Sequence, residues 1–159
     1  MINYFAYGSN IDREDLDKWC RRNGVPLAKR LGEFPAKLGH YRRTFNYLST
    51  TRNGGAANIM ESAEHSVYGL LMEVKEDDVN AIRKKEGYPN HYQEIYVDVE
   101  MFDGTMIRDV RTYKVVKHLE ELEHQPPTRE YLQLIIGSAK RYGFPVDYIE
   151  YLKSIETKD

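Results

Sequence analysis

Apolar and polar residues alternate most regularly over 66–74, where Tyr68, Leu70, Met72 and Val74 fall on one face. A period of two is the signature of a half-buried strand. Residues 2–7 and 56–60 read as shorter strands, and 92–101 as another, with Ile95, Val97 and Val99 sharing a face. Asp103-Gly104 predicts a hairpin turn into a partner strand over 106–116. Residues 28–48 mix basic and aromatic positions and predict strands interrupted by turns. Asn53-Gly54-Gly55 marks a turn or a close approach of backbones. Asp12 as a cap and Asn23-Gly24 as a stop predict a helix over about 13–22. Residues 76–86 predict a second helix. Glu76, Asp77 and Asp78 suit its positive end, Arg83, Lys84 and Lys85 its negative end, and Gly87 stops it. Thr128 caps a helix over 129–142, Gly143-Phe144-Pro145 breaks it, and a short last helix covers 146–154. Strands first and helices late predict an α+β domain: a small curved or barrel-like mixed β-sheet with helices packed outside.

Composition narrows the function classes more than the fold. A length of 159 residues suits one domain, taken as 1–159. The net charge of −2 supplies no general field toward nucleic acid or an anionic membrane, so neither is expected as a partner. No stretch approaches the roughly 20 apolar residues of a membrane span. Met1-Ile2-Asn3-Tyr4-Phe5 lacks the basic start and apolar run of a signal peptide. Cys20 stands alone and makes no internal disulfide, which together with the rest points to the cytoplasm. Thirteen tyrosines against one tryptophan suit half-buried strand faces and pocket walls, since tyrosine joins an apolar ring to a hydrogen-bonding tip.

Two features could carry chemistry. Glu86 lies four residues after Ile82 and seven after Val79, on the apolar stripe of its helix. Burial there would raise its pKa toward the working range of a general acid/base. On pattern alone, a rim carboxylate meeting solvent or a lysine is the commoner outcome. The second feature is Tyr7-Gly8-Ser9-Asn10, a strand running into a glycine turn whose successive N–H groups can hold an anion or oxyanion. Gly-Ser-Asn is also an ordinary structural turn. Ser9 as a nucleophile is disfavoured, because it lacks a Gly-x-Ser-x-Gly elbow and a related base. His40, His65, His91, His118 and His124 form no metal-ligand pair, so no metal is expected. Cys20, beside Trp19, reads as a packed thiol. The clusters Arg42-Arg43 and Lys84-Lys85 read as solvated faces.

Four ordered stretches resemble the γ-glutamyl cyclotransferase family. Tyr4-Phe5-Ala6-Tyr7-Gly8-Ser9-Asn10 resembles its N-terminal signature, and Gly54-Gly55-Ala56-Ala57-Asn58-Ile59 its Gly-Gly turn and following strand. Lys85-Glu86-Gly87, followed by Tyr92, resembles the segment of its catalytic glutamate. Pro126-Pro127-Thr128 through Tyr131, Gly137-Ser138-Ala139-Lys140 and Gly143-Phe144-Pro145-Val146-Asp147-Tyr148 resemble its C-terminal helical region. The matches run from about residue 2 to 156.

The resemblance implies a barrel-like α+β fold and a small-molecule γ-glutamyl substrate, with no cofactor and no metal. It assigns the acid/base role to Glu86 and anion binding to Tyr7, Gly8, Ser9 and Asn10. It adds Tyr92, Tyr113 and Tyr131 near the pocket. The implied products are 5-oxoproline and a free amine, from attack of the substrate's own α-amine on its γ-carbonyl. One departure stands out: acidic or polar residues often precede the family's glutamate, whereas Lys84-Lys85 stand here. A γ-glutamylamine substrate, a biosynthetic γ-glutamyl-deprotecting role and a non-catalytic γ-glutamyl-binding module are the alternatives. The oligomeric state is open, a homodimer being one option.

Overall fold

Strand β1 (Ile2–Ala6) opens the chain and helix α1 (Arg13–Arg22) follows it. Two long strands come next, β2 (Arg30–Ser49) and β3 (Gly54–Val74), then helix α2 (Glu76–Glu86). The chain continues through β4 (Tyr92–Met101), β5 (Met106–Val115), α3 (Arg129–Arg141) and α4 (Val146–Lys153). This computed structural model describes residues 1–159. The strands close into a barrel in the order β1–β3–β2–β4–β5. The β1–β5 seam is parallel and the other pairings are antiparallel, so the sheet is mixed, as expected. No helix is long and apolar enough to cross a membrane.

The β2–β3 region differs from the sequence reading. Interrupted strands over 28–48 and two separate strands at 56–60 and 66–74 are instead one hairpin of two strands, 20 and 21 residues long. The cause is an irregularity in the middle of the hairpin. Gly39 pairs with Ser66 but Tyr41 pairs with Glu61, so residues 62–65 are extra opposite His40. His40 takes a left-handed backbone there, with φ 64°. An extra segment bends a strand pair and breaks its alternation. Glu61, Ala63, Glu64 and His65 are exposed, so no core signal joined the two halves of β3.

The helices form where expected because local chemistry ends them cleanly. Asp12 accepts a hydrogen bond from the Asp15 N–H at 2.9 Å, capping α1. Thr128 caps α3 in the same way, accepting from the Tyr131 N–H at 3.2 Å. Helix α2 ends at Gly87, whose φ of 66° suits only glycine comfortably. Its Val79 and Ile82 are almost fully buried. Burying two such side chains stabilises the packing by roughly 1.5–3 kcal/mol each. The core runs through Phe5, Leu38, Ile59, Leu70, Met72 and Val99 inside the barrel, and Leu132, Ile135 and Ile136 of α3 pack against it. Cys20 is a fully buried free thiol on α1, as its packed reading requires.

The hairpin turn at 50–53 lies against the segment before α3. A side-chain carbon on Gly55 would sit 1.7 Å from the Gln125 carbonyl oxygen, so this glycine marks a close backbone approach. The Gly55 N–H donates to the Pro126 carbonyl at 3.0 Å. That contact seats α3, and with it Tyr131, beside the start of β3.

Candidate active site

Strand β1 delivers Tyr7 to one end of the barrel, where the chain turns through Gly8 into a short 3-10 turn, Ser9–Ile11. Two buried arginines of β2 tie down this turn's carbonyls. Arg43 donates to the Tyr7 carbonyl at 2.5 Å, and Arg30 to the Asn10 carbonyl at 2.6 Å. The Gly8 N–H makes no hydrogen bond within the chain. Gly8 and Ser9 line a pocket of about 750 Å³, and Glu86 lines the same pocket. That volume is in the range of small-molecule sites.

Because Gly87 stops α2 one residue later, the Glu86 carboxylate hangs from the helix end over the turn. Asn10 donates to Glu86 Oε1 at 2.9 Å and to the Tyr4 hydroxyl at 3.1 Å. Glu86 as a residue keeps some surface, but its carboxyl is buried enough to lift its pKa to about 7. Burial is the main cause, and the positive charges of Lys85 and Arg52 oppose it without cancelling it.

Six tyrosines line the pocket, and Tyr7, Tyr92, Tyr113 and Tyr131 are the four that the sequence placed there. The Tyr7 hydroxyl donates to the Tyr113 carbonyl, and the Tyr113 hydroxyl to Glu94 at 2.8 Å. Tyr92 donates to the Ala57 carbonyl at 2.7 Å, while the Tyr131 hydroxyl accepts from the Ala57 N–H at 3.0 Å. Burial pushes the phenol pKa of each of the four above its ordinary value. All four stay neutral and act as fixed hydrogen-bonding walls. Tyr113 is braced from outside, since Glu94 also pairs with Arg83 at 2.5 Å. Asn10 differs from the other expected site residues: it is buried, and its side chain reaches Glu86 rather than the cavity wall.

Sequence reasoning missed three charged groups in this site. Lys85, read as part of a solvated face, is buried with its side chain only 6% exposed. Arg52, in the hairpin turn, grips Asp15 of α1 through both terminal nitrogens at 3.1 and 2.6 Å. Its guanidinium also lies over the Tyr131 ring, 5.1 Å from the centroid. Burial pushes the Asp15 carboxyl up, but Arg52 and Lys85 outweigh that and hold it below the usual range. With Glu86 ionised, this cluster pairs two cations with two anions and is neutral. The departure at Lys85 was the one available signal. The contacts of Asp15 and Arg52 span 37 positions, which no local pattern reveals.

Comparisons with known proteins bear on the family and the fold. Residues 66–152 match the AIG2-like family. The human (Homo sapiens) gamma-glutamylcyclotransferase is 31% identical over 157 residues, covering 98% of this chain and 79% of that protein. A solved gamma-glutamyl cyclotransferase superposes with a TM-score of 0.81 at 31% identity, covering 99% of this chain and 89% of that one. YkqA from Bacillus subtilis superposes with a TM-score of 0.76 at 25% identity, covering 98% of this chain and 55% of that one. The closed mixed barrel, matched over nearly the whole chain by these proteins, is that of a cyclotransferase-like enzyme. The chain belongs to the γ-glutamylcyclotransferase family.

Proposed function

We propose that this enzyme cyclises a γ-glutamyl amino acid or amine to 5-oxoproline, releasing the free amine, with Glu86 as acid/base. The observation that carries the reading is the Glu86 carboxyl, lifted to about 7 and facing the glycine turn across one pocket. A carboxyl near neutral pH can both take and return a proton at low cost.

The reaction forms a bond between the substrate's α-nitrogen and its γ-carbon, and breaks the bond from that carbon to the leaving nitrogen. The α-ammonium loses two protons in becoming a lactam N–H. The leaving nitrogen gains two in becoming an ammonium, so no proton is consumed overall. Glu86 takes one from the attacking nitrogen and passes one to the leaving nitrogen. Gly8 and its neighbours supply N–H groups for the α-carboxylate or the developing oxyanion. The neutral tyrosine walls hold the substrate folded, and such positioning supplies several kcal/mol of the rate enhancement. This reading treats residues 1–159 as one domain working in the cytoplasm.

The test is mass spectrometry for 5-oxoproline after incubation with a mixed library of γ-glutamyl amino acids, isopeptides and amines. Release of 5-oxoproline in step with one class of amine identifies the leaving group. Binding of library members with no 5-oxoproline formed would make the protein a binding module instead.

A further inference from the structure

Lys85 sits where a solvated lysine is expected, yet its side chain is only 6% exposed. Its ammonium has three donors and no acceptor. It donates to three partners: Ser9 Oγ at 3.2 Å, Asn10 Oδ1 at 2.6 Å and Asp15 Oδ2 at 2.7 Å. The Asn10 contact has a geometric consequence. An amide has one oxygen and one nitrogen end, and an ammonium accepts nothing, so the oxygen must face Lys85. The nitrogen end is then forced toward Glu86 Oε1 at 2.9 Å and the Tyr4 hydroxyl at 3.1 Å.

We propose that Lys85 is a positioning residue for Glu86: its buried ammonium pins the Asn10 amide so that Asn10 donates to the Glu86 carboxylate. Asn10 thereby favours the ionised carboxylate, the form that accepts the substrate's proton. Without the ammonium, the amide is free to turn over and accept from a protonated Glu86. Lys85 thus sets which protonation state the site supports. This inference rests on the reading of Glu86 as acid/base.

Other groups facing Glu86 do not substitute for Lys85. Tyr4 and Tyr7 face it from β1 and the following turn, Tyr92 from β4 and Tyr131 from α3, and burial keeps all four phenols neutral. Arg52 faces it from the β2–β3 turn, but both of its terminal nitrogens are committed to Asp15. Arg30 reaches the Asn10 main-chain carbonyl, not its side chain.

The experiment follows the Glu86 carboxyl by carbon-13 NMR titration, with the signal assigned by its loss in Glu86→Gln. Lys85→Met and Lys85→Gln are compared with the parent protein, and Lys85→Arg with both. The expected result is a Glu86 midpoint raised by about one pH unit in Lys85→Met and Lys85→Gln, a tenfold gain in proton affinity. Lys85→Arg stays close to the parent. In an Asn10→Ala background, Lys85→Met produces less than half of that rise, since the two residues act as one unit. An unchanged midpoint in either folded Lys85 variant, or an undiminished rise without Asn10, overturns the proposal. A merely structural lysine changes stability but leaves the midpoint in place. The titration needs no turnover, so its outcome is separate from whether Glu86→Gln retains activity.

Discussion

Replacing Glu86 with glutamine should make the protein more stable at alkaline pH while abolishing its chemistry. Glu86 has an ordinary carboxyl pKa of 4.5 that the fold raises to about 7. The folded state therefore binds the proton more tightly than the unfolded chain. Stability falls with pH wherever the folded state holds more protons, here between about 4.5 and 7. Below that window both states are protonated and burial carries no charge penalty. Above it the folded protein bears the full cost of an ionised carboxylate in a poorly solvated place. At roughly 1.4 kcal/mol per pH unit this cost approaches about 3 kcal/mol, and the residue's partial solvent contact reduces it to about 2 kcal/mol. Glutamine keeps the oxygen that accepts from Asn10 and carries no charge. Urea unfolding of both proteins at pH 4.5, 6, 7 and 8, followed by the fluorescence of Trp19 on α1, measures the difference. With a slope of about 2 kcal/mol per molar urea, Glu86→Gln should unfold about 1 M later at pH 8 and close to the parent at pH 4.5. A difference that is flat with pH, or a variant less stable at pH 8, would refute the claim that Glu86 is buried against its charge.

Three further outcomes follow from the same geometry. The rate per unit of free substrate, kcat/KM, should climb with pH up to about 7 and then level, because only ionised Glu86 accepts a proton; an acidic limb that breaks near pH 4.5 places the base elsewhere. Gly8→Ala should fold normally, since the added carbon meets Tyr131 Oη at 3.5 Å and Ala57 Cβ at 3.6 Å, which are ordinary contacts. Its methyl occupies the pocket wall, so kcat/KM should fall by about 10-fold or more with stability changed by no more than about 0.5 kcal/mol; unaltered kinetics would remove Gly8 from the substrate site. Gly55→Ala should lose roughly 3 kcal/mol or more, because its new carbon would lie 1.7 Å from a main-chain oxygen that has no easy retreat. A thermal melt decides that case, and an unshifted midpoint contradicts the close approach.

The parts of the fold legible in the sequence were those fixed by local chemistry. The span Glu76–Glu86 could be read from acids at one end, bases at the other and a terminal glycine, and all of these act within a few residues. The caps at Asp12 and Thr128 were readable for the same reason. The hairpin of β2 and β3 was not, because its continuity depends on pairing across residues 62–65, which carry no alternation of their own. In the site, the inward aim of Glu86 followed from its place on the stripe of Val79 and Ile82. The charges that surround it did not. Lys85 looks like surface composition until Asp15 and Asn10, 70 and 75 positions away, are brought against it. Arg43 also reads as a surface cation in the sequence, yet it is buried and holds the Tyr7 carbonyl. Long-range pairing of polar groups has no sequence period, and that is why these residues were hidden.

The most direct test of the central claim compares 5-oxoproline release by the parent protein and by Glu86→Gln at pH 8, where the variant is at least as stable. The parent should release 5-oxoproline and free amine in equal amounts from a γ-glutamyl substrate. Losing the general acid/base should slow the variant by about 10²–10⁴-fold. Release of 5-oxoproline by Glu86→Gln at the parent rate would contradict the assignment.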